Sequence, residues 1–371
     1  MKYWYKFIAI IGVILTSCEN KSTTTVSFPQ RIVVENFPKN ESLSECRSFS
    51  VEAVGVIDIA VKNRLLLLAS SSDRDKYISA YSLDDGAFIG NALKKGRANG
   101  ELRGAKSFGA LGLRTLGDKL YSYTFDGQNN LIRIDLSESF KQEHTVFDLI
   151  IERAPLEIPR AYYCNDSLFL ITSAADDFKS RIRSLLNVNG VNDVPEHLKF
   201  LNKVSVKNPD DINVLSTLVA FDSERQLVVE AGLQQNSIQL YSLYDDFART
   251  IIIGKHLMSI EQLAAERDDL IRDQYVHINA YDSYFAALYY DATEEEQYKE
   301  EKLPRLQFFS WNGDPICELL VPFPASSFDI DHSKGKMYFL DDYSGINVPL
   351  VAVCNVPPVA RCNVPPQKWL Q

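Results

Sequence analysis

The five histidines, His144, His197, His256, His277 and His332, stand at least 21 residues apart, so no two imidazoles share a helical turn or strand to grip a metal. HExxH and GxSxG are both absent, which removes the local signatures of a zinc hydrolase and of a nucleophile elbow. No CxxC occurs among the six cysteines, so neither a zinc ribbon nor a thioredoxin-like redox pair is indicated. The run DATEEEQYKEEKLPR at 291–305 does not alternate its acids as a calcium loop does, and reads as a solvated protrusion or short helix. No cofactor motif is present. Any chemistry must therefore be assembled from residues far apart in the chain, and the elements that would bring them together come next.

The chain has 371 residues, 46% of them hydrophobic and 11% aromatic, enough for a well-buried core. A formal charge of −10 makes the summed field repel nucleic acid, so a nucleic-acid partner is not expected.

At the N-terminus, Lys2 and Lys6 precede the apolar run Phe7–Leu15, which is far shorter than the roughly 20 residues a helix needs to cross a bilayer. This is the pattern of a signal peptide. The LTSC that ends it, Leu15–Cys18, resembles the bacterial lipobox, whose cysteine receives diacylglycerol before cleavage. Residues 1–17 then form a lipoprotein signal peptide, Cys18 is the lipidation site, and polar residues 18–30 form a flexible tether. The partner implied at this end is a membrane, held through acyl chains on Cys18. Only Glu19 is acidic in the first stretch of the tether, so the periplasmic face of the outer membrane is expected rather than the cell surface.

A short apolar run preceded by a turn recurs six times, anchored on Leu65, Leu120, Leu168, Leu227, Tyr284 and Met337, at separations of 55, 48, 59, 57 and 53 residues. Strand-like runs flank these copies, such as VGVIDIAV before the first and SIQLYSLYDD after the fourth. Six units of three or four antiparallel strands predict an all-β fold, a six-bladed β-propeller spanning 31–353. Residues 354–371, with CNVPP repeated, predict an irregular proline-containing tail that leaves the last blade short of an outer strand. The isolated run RIVVE is expected to make up the deficit, with Ile32–Val34 beside the sheet containing Met337–Leu340. SIEQLAAERDDLIRDQY at 259–275 predicts a helix capped by Ser259.

The lipobox, the six units and GRANGEL at Gly96–Leu102 together resemble the TolB-like six-bladed β-propeller lipoproteins of Bacteroidetes. The resemblance covers about residues 28–345. A GxGxGE-type segment in that family matches GRANGEL in part, with Ala98 and Asn99 inside it, and Gly96 and Gly100 are expected at positive φ. It implies a membrane-anchored binding or scaffolding propeller whose partner is a protein or glycan.

In a propeller the first strand of each blade faces a central channel, and Asp58, Arg160, His277, Asn279 and Asp329 fall on those strands or their edges. They are the candidate channel lining. The rival reading is a lactonase-like propeller hydrolase holding a divalent metal there; the absence of histidine clusters and local motifs favours binding. For the anchor, replacing Cys18 by Ser is expected to release the protein to the soluble fraction and abolish labelling by a fatty-acid probe.

Overall fold

Each of the six recurring apolar runs becomes the second strand of a sheet. The computed structural model describes residues 27–50, 53, 55–72, 75–104, 106–154, 160–191, 194–266, 270–341, 350–357 and 360; Cys18 and the signal peptide lie outside them. Three short strands lead: β1 (Arg31–Val34), β2 (Asn40–Ser42) and β3 (Arg47–Ser50). Blade 1 is β4 (Val56–Lys62), β5 (Leu65–Ser70), β6 (Ile78–Ser82) and β7 (Phe88–Ala92). Blade 2 begins with a helical turn, α1 (Phe108–Leu111), then β8 (Arg114–Leu116), β9 (Lys119–Phe125), β10 (Leu131–Asp135), helix α2 (Leu136–Gln142) and β11 (Phe147–Ile151).

Blade 3 comprises β12 (Arg160–Asn165), β13 (Leu168–Ala174), β14 (Arg181–Asn187) and β15 (Gly190–Val191), followed by α3 (Glu196–Asn202) and a 3-10 segment, Pro209–Leu215. Blade 4 has β16 (Thr217–Asp222), β17 (Leu227–Gly232), β18 (Ser237–Ser242) and β19 (Ala248–Ile253), and then α4 (Ile260–Ala264). Blade 5 has β20 (Asp273–Tyr281), β21 (Tyr284–Ala292), α5 (Glu294–Tyr298), β22 (Arg305–Ser310) and β23 (Pro315–Leu320). Blade 6 has β24 (Ser327–Asp331), β25 (Lys336–Asp341) and β26 (Leu350–Asn355).

The second strands read as unbroken apolar runs because a propeller blade is stacked on both faces. In β5 five consecutive residues, Leu66–Ser70, are buried, and in β18 all six are. Alternation, the mark of a sheet with one wet face, is lost where both faces are covered. The inner strands of blades 3 to 6 touch in succession, β24 lies against β4, and blade 2 meets its neighbours through α1 and β9, so the ring is closed. The molecule is a six-bladed β-propeller.

The closure differs from the one expected. Residues 31–34 do not join the sheet of Met337–Leu340: β1 runs parallel to β19, with Ile32 opposite Ile251, as a fifth strand of blade 4. β2 runs parallel to β23 as a fifth strand of blade 5, and only β3, antiparallel to β26, completes blade 6. The physical reason is an edge. β25 is already flanked by β24 and β26, whereas the outer edges of three successive blades stand open to a passing chain. β26 itself runs to Asn355, past the point where the sequence suggests an irregular tail. The docked chain also starts before 31: Phe28, placed by sequence in the tether, is buried against Tyr241 and Phe200, and its N–H donates to Thr250 Oγ1 at 2.7 Å.

The expected helix at 259–275 is a single turn. Ser259 and Gln262 form its capping box, but α4 ends at Ala264, Leu270 is exposed, and residues from Asp273 onward belong to β20. Ile260 and Leu263 pack on Val214 and Leu215.

Cys46 and Cys354 form a disulfide with Cα atoms 4.2 Å apart, bridging 308 residues of sequence between the chain entering β3 and the end of β26. Cys164 and Cys317 are buried thiols outside any disulfide, and burial pushes the Cys164 thiol up to about 12, which keeps it inert. The disulfide staples the ring where two distant segments meet. Cys46→Ser is therefore expected to lower the unfolding free energy by about 2–5 kcal/mol in denaturant titrations. A reductant should bring the wild type down to the variant and leave the variant unmoved.

Candidate channel site

The axial space is occupied in part by α1, which lies against β4, β9, β12 and β16. Its N-cap, Ser107, makes no side-chain cap; the N–H of Phe108 donates instead to Asp58 Oδ2 at 2.7 Å, from another blade. The turn ends at Gly112 with φ +54, where a Cβ would stand 3.1 Å from the Tyr123 carbonyl. Glycine is required there by both conformation and space.

Asp58, on β4, is buried and fully engaged. Oδ1 accepts from the Ile59 N–H at 2.8 Å and from the Ser327 hydroxyl, and lies 3.0 Å from His277 Nε2. Burial alone would raise this carboxyl, but attraction to His277 and the hydrogen bonds from His277, Ser327 and Phe108 outweigh it and hold it below the ordinary aspartate range. The Ser327 hydroxyl donates to the carboxylate and not to the imidazole, so these three residues are not arranged as a nucleophile, base and orienting acid.

Asp329, on β24, is engaged in the same way. It accepts from the Val61 N–H at 2.7 Å, the Ile330 N–H at 2.8 Å and the Tyr281 hydroxyl at 3.0 Å, with Lys62 Nζ at 3.9 Å. The Asn279 amide donates to the Phe328 carbonyl at 2.7 Å. Among the described residues no three His, Cys, Asp or Glu side chains converge as a metal cage.

Four of the five sequence-derived candidates thus come together. His277, Asn279 and Asp329 line a cavity of about 100 Å³, and Asp58 stands behind His277. Arg160 does not join them: it lies exposed at the first residue of β12 and is not among the lining residues. The sequence reading missed Arg114, Lys62, Tyr162 and Tyr163, all in the cavity wall. A signal was present. Ile59, Arg114, Tyr162, Phe221 and Ile278 each stand six residues before their repeat anchors, and all five line the cavity.

GRANGEL lies outside the channel. Gly100 has φ +76 as expected, and its N–H donates to Asp126 Oδ2 at 3.2 Å. Gly96 is not at positive φ, and a Cβ there would meet only the carboxylate end of the flexible Glu101 side chain, which can move aside.

No family model and no curated protein matches this chain. Solved structures do. A member of the DUF4221 family from Bacteroides vulgatus aligns with a TM-score of 0.52 at 11% identity over 84% of this chain and 96% of that one. A Bacteroides fragilis protein described as exported gives 0.47 at 11% identity over 87% and 99%, and a Xanthomonas campestris gluconolactonase 0.45 at 10% over 89% and 98%. The first likeness is one of fold, the six-bladed propeller. Among the described residues no helix is long and apolar enough to cross a membrane.

Asp58→Asn keeps the volume but leaves several donors competing for one acceptor oxygen, and is expected to cost about 3 kcal/mol or more. A folded pKa held below 3.8 means that the carboxylate's contribution is complete above 3.8 and is lost as pH falls through the depressed value. Denaturation followed down that acid limb should show a steep loss in the wild type and a shallower one in the variant.

Proposed function

We propose that the chain is an exported, lipid-anchored propeller of TolB-like kind, held through Cys18 at the periplasmic face of the outer membrane. It binds a protein or glycan through an exposed face and performs no chemistry. The observation that carries this reading is the saturation of the channel carboxylates. A hydrolase of the rival kind needs acids and amides free to hold a divalent ion or to take a proton from water. Asp58 and Asp329 instead accept from backbone N–H groups and side chains of the neighbouring blades, and the Asn279 amide is held by a carbonyl.

The exposed face is best developed at α5. Thr293 and Glu296 close a capping box, Arg272 reaches Glu296 at 3.0 Å, and Lys302 reaches Asp291 at 2.9 Å, so the base of the protrusion is fixed. Above it Glu294, Glu295, Tyr298, Glu300 and Glu301 are exposed, with Lys299 paired to Glu295, a predominantly acidic surface around one aromatic ring. Binding residues concentrate on such loops when the scaffold beneath is rigid.

Reversing Glu294, Glu295, Glu300 and Glu301 to Lys should leave the melting temperature unchanged within the small effects usual for surface positions. Crosslinking from the native membrane should then lose the partner captured by the wild type. Retention of that partner would discard the α5 face, and turnover of a lactone or ester by purified wild type would discard the non-catalytic reading.

A further inference from the structure

The cations enclosed by the blades are not treated alike. Arg183, on β14, donates from Nε and Nη2 to Glu230 at 2.6–3.0 Å, and the Glu230 carboxylate also accepts from the Tyr241 hydroxyl. Lys62 is held near Asp329. Arg114, on β8 in the cavity wall, has only the Tyr163 carbonyl, 3.1 Å from Nη2, and the Tyr163 ring, 5.2 Å from its guanidinium carbon. No described carboxylate stands within ion-pair distance, and its Nε is buried with no partner. Burial, the leading influence, presses its pKa downward. Arg114 is half-buried, and its guanidinium faces the cavity with no described carboxylate beside it, so an anion entering there would gain a counter-charge and a donor at once.

We infer that the channel cavity is a binding site for a small monocarboxylate, with the Arg114 guanidinium as counter-charge and His277 as a second polar contact. His277 lines the cavity, is only 9% exposed, and its Nδ1 has no partner. Because Nε2 is turned to the Asp58 carboxylate, Nδ1 is the ring atom left for a ligand hydroxyl or carboxyl group.

Size sets the class. A water needs about 10–15 Å³ of such space, so a cavity of about 100 Å³ takes a ligand of a few heavy atoms. Ile59, Phe221 and Ile278 give it apolar walls for an aliphatic remainder. Charge sets the rest: one unpaired guanidinium matches one negative charge, and Asp329 in the same wall disfavours the second charge of a phosphate dianion. α1 lies at the Asp58 end of the space, so the ligand enters by the other end, where Lys62 is partly exposed. The site concerns a ligand only and rests on the non-catalytic reading of the channel.

The test is calorimetric titration and thermal shift of the folded protein with acetate, pyruvate and lactate, against inorganic phosphate and chloride. The carboxylates should bind and raise the melting temperature in proportion to occupancy. Arg114→Gln should weaken them about tenfold or more, as loss of a charged hydrogen bond does. Arg114→Lys should retain part of the binding, and His277→Gln should weaken lactate more than acetate. A folded wild type that binds none of the three carboxylates overturns the site while leaving the face-binding function standing. Phosphate binding tighter than the carboxylates overturns the ligand class, and equal binding by wild type and a folded Arg114→Gln overturns the placement. Binding accompanied by turnover supports the site and overturns the non-catalytic reading.

Discussion

A single carboxylate ties four of the six blades together. Asp58 stands on blade 1 and takes a hydrogen bond from the turn that opens blade 2, one from His277 of blade 5 and one from Ser327 of blade 6. The inner strands of a propeller have few ways to hold one another, because each is hydrogen-bonded within its own sheet on one side only. Asp329 repeats the device one step along, binding blade 6 to the Val61 N–H of blade 1 and the Tyr281 hydroxyl of blade 5. Both acids sit where an apolar side chain would leave backbone donors unsatisfied, and a buried donor without a partner costs about 1–3 kcal/mol. The polar centre of the channel is therefore part of the scaffold.

Around the rim the constraint is different. Each outer strand leaves a free edge, and the chain from Phe28 to Ser50 covers three edges in succession by parallel, parallel and then antiparallel pairing. Only the last of these closes the ring, and there the Cys46–Cys354 disulfide joins the two ends of the fold. The N-terminal segment is thus welded to the body by hydrogen bonds to blade 4 from Phe28 onward.

The blades were legible because strands buried on both faces show as unbroken apolar runs, and the ring repeats them at near-constant spacing. The closing strands were not, since nothing local in RIVV says which of several open edges it will meet. β26 was obscured by the prolines that follow it, although LVAVCN is itself an ordinary strand sequence. Asp58, His277, Asn279 and Asp329 stood out as polar residues on otherwise apolar inner strands. Arg160 satisfied the same rule and failed because it occupies the first residue of its strand, where the side chain reaches solvent. Arg114 was hidden by a three-residue strand, β8, too short to announce itself, and by a helical turn whose single apolar stretch carries no period. Disulfide pairing across 308 residues has no local sign at all.

Two arginines, Arg183 buried and Arg114 half-buried, then separate scaffold from site within one molecule. Arg183 is enclosed between blades 3 and 4 with every advantage a buried charge can have: a forked pair with Glu230, and a tyrosine hydroxyl completing the acid's shell. Burial opposes ionisation of both groups, yet their mutual attraction holds Glu230 below its ordinary range and raises Arg183. That pair asks for no ligand. Arg114, less deeply buried, has the Tyr163 carbonyl and ring but no described carboxylate partner, in the wall of a central cavity to which all six blades contribute. An apolar residue at that position would pack against Tyr163 without the penalty of an isolated charge. Its presence in a channel whose acids are otherwise fully engaged is accounted for by an anion that the protein itself does not supply.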